Sequence, residues 1–182
     1  MMYFPDLFIN IARLRGEDLD LRLHLDEEWF ARWQEEDPNL EFSGPREVDA
    51  QVHLERHRLD ILVRGHLEGT LQVGCSRCLT RFSRPIEADF DVLLSPGPAP
   101  AGKDEEELSR ADLDVDFYSG EVVDLENILR EQILLTLPLK TLCSEACKGI
   151  CPRCGADLNR ETCQCTAADS GSPFAGLKKI KV

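Results

Sequence analysis

From Val48 to Leu94 the chain carries an apolar residue at almost every second position, and few features restrict a fold as tightly. Val48, Ala50, Val52 and Leu54 alternate with polar residues; Leu59, Ile61, Val63, Leu67, Leu71 and Val73 do the same on odd positions, with Gly65 and Gly69 in phase. Phe82, Ile86, Ala88, Phe90, Val92 and Leu94 return to even positions. Alternation on this scale means half-buried antiparallel strands, with one face on a core and one in water. The break falls at Cys75-Ser76-Arg77-Cys78, so two long strands form a hairpin with a C-x2-C pair at its tip. Gly65 and Gly69, inside so long a ribbon, predict bulges or bends.

The flanks supply the remaining elements. Leu7 to Leu14 reads as a strand, and Asp20 to Leu25 alternates Leu21, Leu23 and Leu25 with polar residues. Asp26 is placed to cap a short helix that carries Trp29, Phe30 and Trp33 and ends at Pro38. Ser95 to Gly102 is a linker by composition, with an acidic loop near 95–112, and Leu113 to Tyr118 reads as a further strand. Asp124 caps a helix running to about Leu137, in which Leu125, Ile128, Leu129, Ile133 and Leu135 are apolar enough to pack on the sheet. The predicted fold class is α+β: an antiparallel, strand-rich sheet with a long hairpin, one apolar packing helix and a C-terminal cysteine-rich zinc-binding segment. Three parts are expected, a body over 1–139, the cysteine segment over 140–165 packed on it, and a basic amphipathic tail over 166–182. In that tail Phe174, Leu177 and Ile180 stand among Lys178, Lys179 and Lys181.

The cysteines narrow the chemistry. They lie at Cys75, Cys78, Cys143, Cys147, Cys151, Cys154, Cys163 and Cys165. The opening residues lack the features of a secretory signal, and no stretch approaches the ~20 apolar residues of a membrane span. The expected location is therefore the cytoplasm, where thiols stay reduced and metal binding is favoured over disulfides. Eight thiolates make two sets of four, each a complete ligand set for a structural zinc ion; zinc is preferred to iron on ligand type. One division joins Cys75, Cys78, Cys143 and Cys147, leaving Cys151, Cys154, Cys163 and Cys165 to close a local site. The other joins Cys75 and Cys78 to Cys151 and Cys154, as in a two-knuckle ribbon. The first closes the smaller loop within the C-terminal segment.

The formal net charge is −13, which argues against non-specific nucleic-acid binding by the whole surface. The charge is uneven, however, and the basic stretches hold the cysteines. Arg77, Arg81, Arg84, Lys148, Arg153 and Arg160 form a candidate surface for RNA or another partner. The four histidines, His24, His53, His57 and His66, fall on the polar phase or near strand ends and read as surface residues. No phosphate-binding glycine loop and no nucleophile–base pair is present, so nothing in the residues argues for an enzyme. A thiol redox protein, or another metal-dependent enzyme using the C-x2-C cysteines, is the alternative.

The chain also resembles a known family, the YceD-like large-ribosomal-subunit RNA accumulation proteins. The resemblance is carried by Cys75 to Leu79 on the hairpin, Asp124 to Pro138 on the helix, Leu142 to Asn159 around the cysteines, and the closing Pro173 to Lys179. It implies a non-catalytic role in 23S ribosomal RNA accumulation and large-subunit assembly in the bacterial cytosol. The implied partners are precursor 23S rRNA or a large-subunit ribosomal protein, with no membrane and no small-molecule substrate.

Overall fold

The computed structural model describes residues 7–14, 18–38, 40, 46–97 and 116–165. In chain order these form β1 (Phe8–Asn10), a 3-10 turn (Ile11–Leu14), β2 (Leu19–Leu25), α1 (Glu27–Glu36), β3 (Glu47–His57), β4 (Asp60–Gly74) and β5 (Arg81–Pro96). Then come β6 (Asp116–Tyr118), β7 (Val122–Asp124) and α2 (Leu125–Leu135). The main sheet has the order β2-β3-β4-β5-β6, and β1 pairs with β7 in a separate ribbon. The architecture is α+β, as the alternation predicted, but the sheet is mixed where an antiparallel one was expected. Leu94 to Pro96 of β5 run parallel to Asp116 to Tyr118 of β6. A parallel neighbour needs a connection of about a dozen residues or more, and the stretch 97–115 supplies it.

The long hairpin is a continuous ladder from Ile61 opposite Leu94 to Gly74 opposite Arg81. No bulge interrupts it, so the expected role of the glycines is wrong. Gly65 lies opposite Phe90, whose ring occupies the space a Cβ would take, and a Cβ on Gly69 would run into the backbone of Glu47 and Val48. Both glycines admit a neighbour over a flat rung instead of breaking the strand. The odd positions of β4 and even positions of β3 and β5 face the core, where Val48, Leu54, Ile61, Val63, Leu67 and Leu71 are fully buried. Leu59 departs from this phase: it sits with Arg58 (φ +61°) in the turn between β3 and β4, and is exposed.

The same core takes Trp29, Phe30 and Trp33 from α1 and Leu125, Ile128, Leu129 and Ile133 from α2. Asp26 accepts from the Trp29 N–H at 3.0 Å and Asp124 from the Asn127 N–H at 3.0 Å, the two caps read from sequence. Arg130 joins the helices, lying over both indole rings of α1 while pairing with Glu36 and Glu126. α2 ends at Leu135, two residues early, and Leu135 is exposed, because four buried positions already fill its core stripe. The Leu7 to Leu14 segment is a strand only over β1; Asn10 then accepts from the Ala12 N–H at 2.8 Å and turns the chain, which still buries Leu7, Ile9, Ile11 and Leu14. Of the predicted linker, Ser95 and Pro96 belong to β5. The acidic run over 104–115 and the tail residues Phe174, Leu177 and Ile180 lie outside the described residues.

On the wet face every histidine meets a carboxylate: His24 with Asp49 at 2.8 Å, His53 with Asp20 at 2.9 Å, His57 with Glu55 at 3.0 Å and His66 with Asp89 at 2.7 Å. These are cross-strand or edge pairs of a solvated sheet, in keeping with their polar phase. Gly69→Ala is expected to lower the melting temperature by several degrees, on the order of 1–3 kcal/mol, because neighbouring backbone must move. Gly74→Ala, whose Cβ would meet nothing within 4 Å, serves as the neutral control in the same thermal melts.

Candidate metal centres

Two residues past the helix end, the chain turns back toward the hairpin tip and is tied to it. The Ser76 N–H donates to the Thr141 carbonyl at 2.8 Å, and the Thr141 hydroxyl donates to the Gly74 carbonyl at 2.6 Å. Arg77 donates to the carbonyls of Glu145 (3.3 Å) and Cys147 (2.9 Å), and its own carbonyl accepts from the Ile150 N–H at 3.2 Å. Gly149 makes this approach feasible: its φ is +77°, and a Cβ there would sit 3.0 Å from the Arg77 oxygen.

This docking divides the cysteines as the first of the two pairings has it. The sulfurs of Cys75, Cys78, Cys143 and Cys147 lie within 4.8 Å of one another, as do those of Cys151, Cys154, Cys163 and Cys165. Cys75 and Cys147 are 3.8 Å apart and Cys78 and Cys143 3.6 Å; in the second group Cys154 and Cys163 are 3.7 Å apart and Cys151 and Cys163 3.3 Å. A tetrahedron of thiolates on ~2.3 Å metal–sulfur bonds has edges of about 3.8 Å, whereas a disulfide holds its sulfurs at ~2.05 Å. All eight are free thiols, and the donor set fits a divalent soft-to-borderline metal.

Two turns of one design present the sulfurs. In Cys75 to Thr80 the Cys75 N–H donates to the Thr80 carbonyl (2.9 Å) and the Leu79 N–H to the Cys75 carbonyl (2.9 Å). In Cys151 to Ala156 the Cys151 N–H donates to Ala156 (2.8 Å) and the Gly155 N–H to Cys151 (2.9 Å). The residue after the second cysteine has positive φ in both, +60° at Leu79 and +73° at Gly155. The surroundings differ. Cys75, Cys78 and Cys147 are buried against Phe82 and Leu142, while Cys154 and Cys165 are exposed. Asn159, which the sequence reading missed, bridges the groups: its amide donates to the Cys147 sulfur at 3.4 Å and accepts from the Lys148 N–H at 2.8 Å. Only its place in the Asp157-Leu158-Asn159 run hinted at a turn residue.

Protonation divides each group. Burial pushes the Cys75 thiol up, but N–H donation from Cys143, Cys78 and Arg77 outweighs it and brings it down to about 6. Cys143 is pushed up to about 12 by loss of water and by its bonds to the neighbouring sulfurs. Cys151 is lowered to about 6 by the N–H groups of Cys154 and Arg153, and Cys165 raised to about 12 by its bonds to Cys163 and Cys154. Without a cation each quartet therefore holds on to protons at neutral pH.

The predicted basic surface is distributed less simply. Arg81, Lys148, Arg153 and Arg160 are exposed, with Arg160 paired to Asp157 at 3.5 Å. Arg77 is committed to the docking carbonyls. Arg84 lies opposite the buried Leu71, on the core-facing phase of β5, with a buried Nε.

Comparison with known proteins settles the lineage of this arrangement. Residues 63–181, more than half of the chain, match the family described as large ribosomal RNA subunit accumulation protein YceD. The chain belongs to the YceD family. It is 24% identical over 155 residues to large ribosomal RNA subunit accumulation protein YCED homolog 1, chloroplastic, of Arabidopsis thaliana, a match covering 74% of this chain and 48% of the relative. The Zea mays protein of the same name is 28% identical over 157 residues, covering 72% and 52%. An uncharacterized protein of Mycobacterium tuberculosis is 28% identical over 114 residues, covering 63% and 53%. This YceD chain thus spans about half the length of the curated relatives it matches. No solved structure matches it. Among the described residues no helix is long and apolar enough to cross a membrane.

Two outcomes follow from the centres. Because Cys143 and Cys165 surrender protons on metal binding, zinc affinity should fall at least tenfold for each pH unit between pH 8 and 6, measured by competition with a chromophoric chelator. Cys78→Ser should lower the melting temperature of the whole fold, since its site closes a loop worth on the order of 4 kcal/mol, while Cys163→Ser should free only residues after about Ile150. Hydrogen exchange separates the two; equal global loss would sink the distinction.

Proposed function

We propose that this YceD chain is a non-catalytic, zinc-stabilised factor that supports 23S rRNA accumulation by joining the large-subunit precursor in the cytoplasm. Family membership is the observation that carries the reading, and two four-cysteine groups suited to a structural metal ion support it. Two zinc ions would hold the hairpin tip and the cysteine segment as one rigid surface. Cys75, Cys78, Cys143 and Cys147 would bind the first ion, and Cys151, Cys154, Cys163 and Cys165 the second. Around that surface Arg81, Lys148, Arg153 and Arg160 would meet precursor 23S rRNA or a ribosomal protein lying on it. Arg77 and Arg84, counted with them on sequence alone, serve instead to fasten the segment and line the core face.

The test is co-sedimentation with large-subunit precursor particles from cells depleted of the protein. Zinc-loaded protein should sediment with the particles, and removal of zinc by a chelator should abolish this. Joint replacement of the four exposed basic residues by Ala should weaken it several-fold and flatten its salt dependence. Undiminished association after both treatments would overturn the reading. Thiol titration checks the absence of redox chemistry: the native protein should show no reactive thiols until the chelator is added.

A further inference from the structure

The two cysteine turns share their hydrogen bonds and their left-handed fifth residue, yet fill that position differently. Gly155 takes φ +73° without strain; Leu79 takes φ +60°, a conformation that costs a side chain with a Cβ on the order of 1–2 kcal/mol. Among the described residues no buried contact of the Leu79 side chain offsets that cost, because it is 69% exposed. It does not stand alone. Leu139, fully exposed, lies two residues from Thr141, whose carbonyl accepts from the Ser76 N–H. Ile150, also exposed, donates its N–H to Arg77. Hydrogen bonds thus tie the segments that carry Leu139 and Ile150 to the turn that carries Leu79.

We infer that Leu79, with Leu139 and Ile150, is the anchor by which this chain docks on a protein component of the large-subunit precursor, inserting into an apolar pocket rimmed by carboxylates. The inference rests on the reading given under Proposed function and specifies the contact made there. Leu79, Leu139 and Ile150 offer a phosphate backbone no donor, so the patch they form matches an apolar pocket on a protein and not a phosphate cradle. Arg81 and Lys148 remain exposed beside the patch and match a carboxylate rim. A second copy is a poor occupant, since three side chains fall well short of the ~800 Å² per partner of a stable dimer. Small, rigid and central is instead the form of an interface hot spot.

Leu79→Gly tests this because structural and binding roles predict opposite results. The variant should bind both zinc ions and melt at the wild-type temperature or above, with Leu79→Asn behaving alike, while association with the precursor particles falls at least tenfold. A photo-crosslinking amino acid in place of Leu79 should give an adduct on the particles that protease destroys and ribonuclease spares. Undiminished association of Leu79→Gly, a clearly lower melting temperature, a ribonuclease-sensitive adduct or an adduct with a second copy would each overturn the inference. Wild-type protein that fails to sediment with the particles would instead sink the underlying reading, and this contact with it.

Discussion

One rung beyond the last pair of the β4–β5 ladder, the chain makes a turn whose N–H and carbonyl groups serve three masters at once. They close the turn on itself, orient Cys75 and Cys78, and receive the segment that returns from α2 through Ser76, Arg77 and Gly74. A hairpin of this length is stiff because its rungs are packed on one side by a full core, so its tip is a fixed point. The cysteine segment has little apolar core of its own; among the described residues its buried side chains are chiefly Cys147 and Cys151. Its order therefore depends on being fastened to that tip, by hydrogen bonds and, with an ion bound, by four sulfurs from two distant parts of the chain.

Much of this was legible in the sequence, and the reasons differ by element. Period-two alternation identified β3, β4 and β5 because a sheet wetted on one face forces that pattern, and the aspartate caps identified both helix starts because orphan N–H groups need an acceptor. Loop closure favoured one of two groupings of the cysteines, and that grouping is the one the structure has. What escaped were features set by tertiary neighbours. Gly65 and Gly69 looked like breaks in a strand, yet each is small because a ring or a backbone passes over it. The parallel pairing of β5 with β6 involves three residues, too few to leave a pattern. Arg77 and Arg84 stand in one basic stripe in the sequence, which shows charge but neither the carbonyls that Arg77 meets nor the core-facing phase of Arg84.

That last point changes how the charge of the molecule is read. Clustered arginines beside cysteines suggest an anion-binding surface, but a tetrathiolate centre is itself an anion, and one arginine here is engaged on carbonyls inside the segment it fastens. Positive charge held on those carbonyls is less available to a phosphate. On the proposed reading the exposed remainder would form a rim, which sets approach and salt dependence more than affinity.

The two centres, alike in their turns, are placed for different work. In the first, three of four sulfurs are buried and the group joins Cys75 on the hairpin to Cys147, 72 residues on, so an ion held there would exchange only if the segment lifted from the hairpin. In the second, sulfurs are drawn from one short stretch and two are exposed, so an ion held there would be reached by solvent without moving the body. Asn159 couples them, holding the Cys147 sulfur from a turn that belongs to the second group. Order around the outer group thereby supports a cysteine of the inner one. The dependence runs inward along the chain, from an outer clasp to an inner one fastened to the hairpin tip that the β4–β5 ladder already fixes.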